Sequence, residues 1–262
     1  MQYAKAFSDA LQFMWGKGFL SPGGPEEVRE MLTAQDLRGK IVLDIGSGAG
    51  GIDVLLAAEH GAKEVVGIDV EPRLIEEARE LVREKGLEDR IRLDLVEPGP
   101  LPFADQSFDV VFSKDAMVHI SDKAALYVEV MRVLKPGGSF IAADWLWAEG
   151  AGTSPTVIDW LSKGPLKFNF TTLPEAEAAL SKAGFESVSV IDRRAALQAS
   201  NRREIEALEG PALQQLAAVV GEEMAKSRLA GARGRQGALD SGNLIPSHLS
   251  GRKPRQYSRQ MT

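Results

Sequence analysis

The sequence predicts an α/β fold, a doubly wound, mostly parallel, Rossmann-like sheet of seven strands. An N-terminal helical lid and a cap inserted after the fifth strand complete it. Two observations support this prediction. Short runs rich in β-branched residues alternate with helical patterns, as they do when helices connect parallel strands. The first run also leads into a glycine-rich turn and a helix, the unit with which such sheets commonly begin.

The elements follow in a regular order, and Gly and Pro bound several of them. Two segments lie outside this repeat, residues 1–24, which end in the turn-rich SPGGP, and residues 145–172. Open α/β sheets bind ligands at the carboxyl ends of their strands, so we expect both segments to cover a site there. The strands are predicted at 40–45, 64–68, 91–95, 108–112, 139–144, 187–192 and 243–251. The helices are predicted at 50–59, 72–85, 123–134, 174–183 and 205–229.

Composition excludes several classes of protein. The 262 residues are 44% hydrophobic and 26% charged, which is ordinary for a globular protein and unlike a disordered chain or a collagen. There is no cysteine and there are three histidines, which rules out thiol chemistry and disulfides and argues against a metal centre. A net charge of −6 argues against a nucleic-acid partner. No apolar run reaches about 18 residues, so neither a membrane span nor a membrane partner is expected, and the expected location is cytoplasmic.

One basic run stands out from the acidic whole. It contains a single acid, Asp240, and we interpret it as a solvated tail, the usual meaning of a charge run near a chain end. A patch for an anionic ligand is the alternative. Its basic residues are Arg228, Arg233, Arg235, Arg252, Lys253, Arg255 and Arg259.

The glycine-rich turn indicates a nucleotide-like ligand. The spacing of Gly46, Gly48 and Gly51 matches the dinucleotide fingerprint, and Asp69 follows the second strand, where an acid that binds ribose belongs. This pattern alone fits NAD and an adenosyl cofactor equally. Asp44, two residues before the first glycine, would repel a pyrophosphate and attract a cationic amino-acid group, which favours S-adenosylmethionine. The alternative is that Asp44 caps the backbone of the turn.

Four motifs in order then resemble class I S-adenosylmethionine-dependent methyltransferases. They are VLDIGSGAGG, GIDVEP, SFDVVFSKDAMVHI and VLKPGGSFIAADW. The resemblance implies that the turn and Asp44 hold the methionine end, that Asp69 binds the ribose hydroxyls, and that Glu97 lies near the adenine, where the family more often has Asp. The cofactor-binding residues that it implies are Ser21, Asp44, Gly46, Ser47, Gly48, Asp69, Val70, Val96, Glu97, Ser113, Lys114 and Asp115.

Two further stretches narrow the resemblance. Gln2-Tyr3 with FMWGKGFLSPGG, and SKDAMVHISDKAAL with the following LKPGG, are similar to the phosphoethanolamine N-methyltransferases as far as about Phe185. The resemblance implies that Tyr3 and His119 close over the cofactor as a catalytic pair. An ammonium group must lose a proton before its nitrogen can attack, and a neutral histidine can accept that proton. A purely structural role for His119 remains the alternative.

The cap departs from that family's phosphate site. Trp145 and Trp160 stand where tyrosines would, Gly164 is near the expected arginine, and Lys163 and Lys167 are the only nearby replacements. Three tryptophans in one segment suit a pocket for a flat acceptor or a methylated ammonium, or else simple core packing. The candidate substrate-binding residues are Trp145, Trp147, Trp160, Lys163 and His248.

The sequence thus predicts one methyltransferase domain over 1–262, divided into a lid (1–24), a cofactor-binding core (40–145), a substrate cap (145–172) and a basic C-terminal segment (230–262). The expected reaction moves a methyl group from S-adenosylmethionine to a small molecule, by resemblance an amine. A hydroxyl or carbon acceptor stays open, as do an NAD-dependent oxidoreductase and a non-catalytic S-adenosylmethionine-binding module. No metal is expected, and the oligomeric state is left open.

Overall fold

A computed structural model describes residues 4–255, and seven strands form one sheet within them. The strand order is β3-β2-β1-β4-β5-β7-β6, in which β7 runs antiparallel to both of its neighbours and the other pairs are parallel. This confirms the predicted fold class. The strands are β1 (Ile41–Ile45), β2 (Glu64–Asp69), β3 (Ile91–Leu95), β4 (Phe108–Lys114), β5 (Leu134–Trp147), β6 (Glu186–Asp192) and β7 (Leu244–Arg252).

Ten α-helices accompany the sheet within residues 4–255. Short 3₁₀ turns at Met117–His119 and Ala151–Thr153 lie among them. The helices are α1 (Lys5–Trp15), α2 (Gly24–Met31), α3 (Gly51–Ala58), α4 (Pro72–Lys85), α5 (Lys123–Val133), α6 (Pro155–Ser162), α7 (Leu173–Lys182), α8 (Arg194–Leu208), α9 (Ala212–Val220) and α10 (Glu222–Asp240).

The single helix predicted over 205–229 is wrong, because three helices share that stretch. Pro211 follows α8, and proline has no N–H to continue a helix. Gly221 separates α9 from α10 with φ +86°, a left-handed value that glycine adopts without strain. These two breaks turn α10 into a separate helix that packs against α1, α6, α8 and α9.

The two faces of the sheet bury separate apolar layers. Along β1 the side chains alternate, so that Val42 faces α2, α3 and α4 while Leu43 faces α5 and α7. Tyr127 and Phe140 are the largest fully buried side chains of the second layer. Both layers stabilise the sheet and fix the edge at which its parallel strands end.

The basic run is not a solvated tail in its first part. Arg228 and Arg235 lie on α10 with only 7% and 4% of their surface exposed. They are buried because Glu204 of α8, itself buried, forms ion pairs with both guanidinium groups. Further on, the ammonium of Lys253 donates to the carbonyl oxygens of Met131 and Leu134. The solvated-tail expectation is therefore wrong for these three residues.

Candidate active site

The glycine turn joins β1 to α3 at the carboxyl edge of the sheet. Gly46 and Gly48 adopt φ +81° and +54°, and a Cβ at Gly46 would collide with Ala116. Gly51 lies against the backbone of Gly18, with its N–H donating to the Gly18 carbonyl oxygen at 3.1 Å. The turn is therefore also the surface on which the N-terminal segment docks.

Three carboxylates converge behind this turn. Asp44 and Asp53 are fully buried, and none of their four carboxylate oxygens accepts a hydrogen bond from another residue within residues 4–255. Asp69 instead accepts hydrogen bonds from the N–H groups of Gly48 and Glu71, both at 2.9 Å. Burial raises the pKa of Asp44 well above its usual value, and the charges of Asp53 and Asp69 raise it further.

The arrangement argues against the interpretation of Asp44 as a cap of the turn. A carboxylate that capped the turn would accept its N–H groups, and Asp44 accepts none among the described residues. A buried acid without a partner is costly unless a cation meets it. The hydroxyl of Ser47, in the same turn, is also buried without a partner. These residues fit a ligand that brings a positively charged amino-acid group.

Asp53 was missed in the sequence. It lies in the first turn of α3, where a carboxylate is favoured by the N–H groups of the helix start. Burial raises its pKa to about 7. The available signal was an acid within an otherwise apolar helix directly after the glycines, GIDVLLAA.

The end of β4 fastens the N-terminal segment. The buried ammonium of Lys114 donates to the Ser21 hydroxyl (2.7 Å), the Pro22 carbonyl (2.9 Å) and the Asp115 carboxylate (2.7 Å). Ser113 donates its hydroxyl to the Ile45 carbonyl at 2.8 Å. Lys114 and Ser113 therefore hold the frame together, while Asp115 borders the open cleft.

The remaining predicted cofactor residues follow β2 and β3, neighbouring parallel strands. Val70 is half exposed and Glu97 is exposed, whereas Val96 packs against the second apolar layer. Val70 directly follows Asp69, the last residue of β2, and Glu97 follows the neighbouring strand β3. Both side chains are therefore accessible at the carboxyl edge of the sheet.

His119 ends the first 3₁₀ turn and lines the cleft. Its Nδ1 lies 2.7 Å from the carbonyl oxygen of Lys167, and because a carbonyl only accepts, Nδ1 carries the proton and Nε2 the lone pair. Its ring stacks on Phe168 at 5.3 Å. Burial lowers the pKa of His119, against the opposing effect of the Lys167 carbonyl. The imidazole is thus held neutral, as a base requires.

Two residues that sequence reasoning missed hold His119 in place. Asn169 donates its backbone N–H to the Val118 carbonyl at 2.6 Å and its amide to the His119 carbonyl at 3.1 Å. Lys123, buried on α5, donates to the carbonyls of Met117 and Asn169. No spacing in the sequence links Asn169 to Lys123, because the cap and α5 come into contact only in the folded protein.

The cleft that His119 borders has a volume of about 830 Å³ including its mouth. Trp145, Trp160 and Phe168 form one wall, with ring centroids 5.6 to 5.7 Å apart. Phe7, Leu11 and Leu20 line it from the N-terminal segment, and Arg228 and Arg235 line it from α10. Lys163 also borders it and pairs with Asp159 at 2.5 Å.

The other substrate candidates lie elsewhere. Trp147 stacks on Phe170 at 4.9 Å and is not among the residues that line the cleft. His248 bonds to Glu27 at 2.6 Å, between β7 and α2. Tyr3 lies outside the described residues. The expectation that only Lys163 and Lys167 could replace the missing arginine is wrong, because Arg228 and Arg235 border the same cleft.

The comparisons define the class of protein. Residues 36–162 match the family model described as a methyltransferase domain. Together with the seven-stranded fold and the four ordered motifs, this match confirms the resemblance to class I S-adenosylmethionine-dependent methyltransferases that the sequence predicts.

Two curated relatives indicate which methyltransferases the chain is similar to. The chain is 31% identical to phosphoethanolamine N-methyltransferase 3 of Arabidopsis thaliana over 210 residues, 80% of this chain and 42% of the relative. It is 38% identical to the methyltransferase GfsG of Streptomyces halstedii over 126 residues, 48% of this chain and 45% of the relative. The chain thus spans less than half the length of these curated relatives.

Solved structures share the fold. Phosphoethanolamine N-methyltransferase 2 of Haemonchus contortus, in complex with phosphomonomethylethanolamine and S-adenosylhomocysteine, superposes with a TM-score of 0.90 at 24% identity, over 97% of this chain and 59% of that one. The [4+2]-cyclase SpnF superposes with a TM-score of 0.68 at 25% identity, over 88% and 80%. The fold alone therefore does not fix the reaction.

Residues 4–255 contain neither a candidate membrane span nor a candidate metal cluster. None of their helices is both long and apolar enough to cross a membrane. No group of three or more His, Asp or Glu side chains in that range is arranged to hold a metal ion.

Proposed function

We propose that this protein transfers a methyl group from S-adenosylmethionine to the nitrogen of a small amine, with His119 as the general base. The observation that carries the proposal is Asp44, a buried carboxylate without a hydrogen-bond partner in residues 4–255, directly beneath the glycine turn. S-adenosylmethionine, when bound, supplies a methyl group on a positively charged sulfur. Its ammonium group is the cation that Asp44 would meet.

Each side chain of the turn has a defined task in this proposal. Asp44 and the Ser47 hydroxyl would bind the amino-acid end, and the Asp69 carboxylate the ribose hydroxyls. Asp69 already accepts two backbone hydrogen bonds, so its orientation is fixed before a ligand arrives. Such preorganisation lowers the entropy lost on binding.

His119 would prepare the acceptor. An amine that enters as an ammonium would give its proton to Nε2, while Nδ1 keeps its own proton and donates it in a hydrogen bond to the Lys167 carbonyl. The freed nitrogen lone pair can then attack. Because its pKa is lowered, the half-buried imidazole is neutral at neutral pH and able to accept the proton, and the cleft walls would hold the acceptor in line. Tyr3 as the partner of His119 stays a prediction.

Calorimetry and a transfer assay test the proposal. S-adenosylhomocysteine should bind and NAD(H) should not. Labelled S-adenosylmethionine should then label one or more of a panel of phosphoethanolamine, amino acids, aromatic amines and phenols. Binding of NAD(H) alone would favour an oxidoreductase. Cofactor binding without any transfer would favour a non-catalytic module, and labelling of phenols alone would favour O-methylation.

A further inference from the structure

Two buried arginines share one buried acid beside the cleft. Arg228 and Arg235 contact opposite oxygens of the Glu204 carboxylate, and all three side chains are at most 6% exposed. Arg235 is further satisfied by Asn201, whose Oδ1 accepts from its Nε at 2.7 Å, and lies 6.0 Å from the Trp145 ring. Both Nε and Nη2 of Arg235 therefore have partners within the cluster.

Arg228 is different. Its Nε and Nη2 have no hydrogen-bond partner within residues 4–255, although Nη2 lies against Glu204 without hydrogen-bond geometry. Burial lowers the pKa of Arg228 to about 10, against the opposing effect of Glu204. Guanidinium N–H groups without a hydrogen-bond acceptor inside a protein are costly, even where an ion pair balances part of the charge. It borders the cleft, where a ligand could supply the missing acceptor.

The other charges around the cleft cancel. Asp115 is paired with Lys114, and Lys163 is paired with Asp159. Among residues 4–255, the buried trio of two arginines and one glutamate therefore leaves a single uncompensated positive charge at the cleft. A ligand group with one negative charge would balance it, whereas a phosphate monoester carries about −1.5 to −2 at pH 7.

We propose that the acceptor is an amine whose other end is a monoanion, of which a carboxylate is the preferred class, and that Arg228 binds this end. The inference rests on the proposed function and specifies its substrate. A carboxylate matches the planar guanidinium fork, because two parallel N–H donors face its two oxygens. Glu204 is then a specificity residue, since it removes the second positive charge that a dianion would need.

Matched probes separate charge from shape. β-Alanine, taurine, phosphoethanolamine and ethanolamine share an amine and a two-carbon spacer, and they end in a carboxylate, a sulfonate, a phosphate and a neutral hydroxyl. A second set, 4-aminobenzoate, 4-aminobenzenesulfonate, 4-aminophenyl phosphate and aniline, repeats the comparison on a ring that suits the aromatic wall. Calorimetry or ligand-observed NMR on the complex with S-adenosylhomocysteine measures binding.

In at least one set, we expect the carboxylate to bind about 10-fold or more tightly than the neutral member, and more tightly than the phosphate. Arg228→Met should remove that advantage. Glu204→Gln should shift preference toward the phosphate. Arg233→Met is the matched control, because Arg233 lies on the same helix, exposed and paired with Glu209, and does not line the cleft. Arg233→Met should leave the affinities of all the probes unchanged.

The affinities of the probes for the wild-type protein test the proposal even if a variant fails to fold. Tightest binding of the phosphate, or no advantage of either monoanion over the neutral member in both sets, would overturn the proposal. So would an Arg228→Met variant that still binds S-adenosylhomocysteine and keeps the preference. Those results leave the proposed methyl transfer standing, whereas failure to bind S-adenosylhomocysteine would remove the proposed function itself.

Discussion

The two halves of this site bury opposite charges. Behind the glycine turn, Asp44, Asp53 and Asp69 form an acidic cluster, while beside the cleft Arg228 and Arg235 outnumber Glu204. The acidic cluster comes from β1, β2 and the helix between them. The basic cluster joins α8 to α10, and its acid and its arginines lie 24 and 31 residues apart. The first half suits a cationic donor, and the second would suit the anionic end of the proposed acceptor.

The largest effect is expected at His119, the proposed base, which borders the cleft. His119→Ala should lower the methyl-transfer rate by about 100-fold or more, because the acceptor then keeps its proton. Affinity for S-adenosylhomocysteine should change little. In the wild type, the rate should rise with pH around a midpoint below 6.5, since burial lowers the pKa of His119 from that value. In His119→Ala, this rise of the rate with pH should be absent.

His60→Ala is the matched control for this measurement. His60 follows α3, away from the cleft-lining residues, and its replacement should leave the rate unchanged. An unaltered rate in His119→Ala would show that a different group, or none, removes the proton.

The acidic half is tested by Asp44→Asn. Loss of the charge that would meet the ammonium should weaken S-adenosylhomocysteine binding by about 10-fold or more, since a hydrogen bond to a charged group contributes about 1.5–3 kcal/mol. 5′-Methylthioadenosine lacks the amino-acid end, so its affinity should stay the same. Equal losses for both ligands would mean that Asp44 acts on the shape of the turn.

A smaller effect is expected at the aromatic wall. Trp145→Phe should raise the acceptor KM about 3- to 10-fold, since an aromatic contact contributes about 0.5–1.5 kcal/mol. Trp147→Phe removes an indole from the same strand outside the cleft and should leave KM unchanged. If both variants behave alike, the indoles act only through core packing.

The smallest effect concerns stability. In the folded protein the Asp53 pKa is about 7, above its ordinary 3.8, so the protonated carboxyl is the favoured form. Its stabilising contribution is complete below 3.8 and is lost as pH rises through 7. The Tm of the ligand-free protein should fall from pH 5.5 to pH 8, and less so in Asp53→Asn. The exposed acid Asp89, replaced by Asn, provides the control, and an equally steep fall in Asp53→Asn would contradict this assignment.

The acidic half could largely be predicted because its parts are close in the sequence. The strand, turn and helix around Asp44 and Gly46 form a local unit, and Asp69 follows the next strand in the parallel order. Even there, Asp53 escaped notice, because an acid in a first helical turn usually has a purely local role.

The basic half could not be predicted, because its charges meet only through tertiary packing. The run around Arg228 was interpreted as a tail, and nothing local links it to Glu204. The predicted continuous helix over 205–229 also hid the breaks at Pro211 and Gly221, which free α10 to pack against α1, α6 and α8. Trp145 and Trp160 were found as a cluster, but their partner Phe168 was not.

The N-terminal segment contributes to both halves. Gly18 packs on Gly51, Ser21 and Pro22 are held by Lys114, and Phe7 and Leu11 of α1 line the cleft. A shortened chain that begins after residue 24 would therefore lose side chains and backbone that contact the glycine turn, and it would also lose side chains that line the cleft.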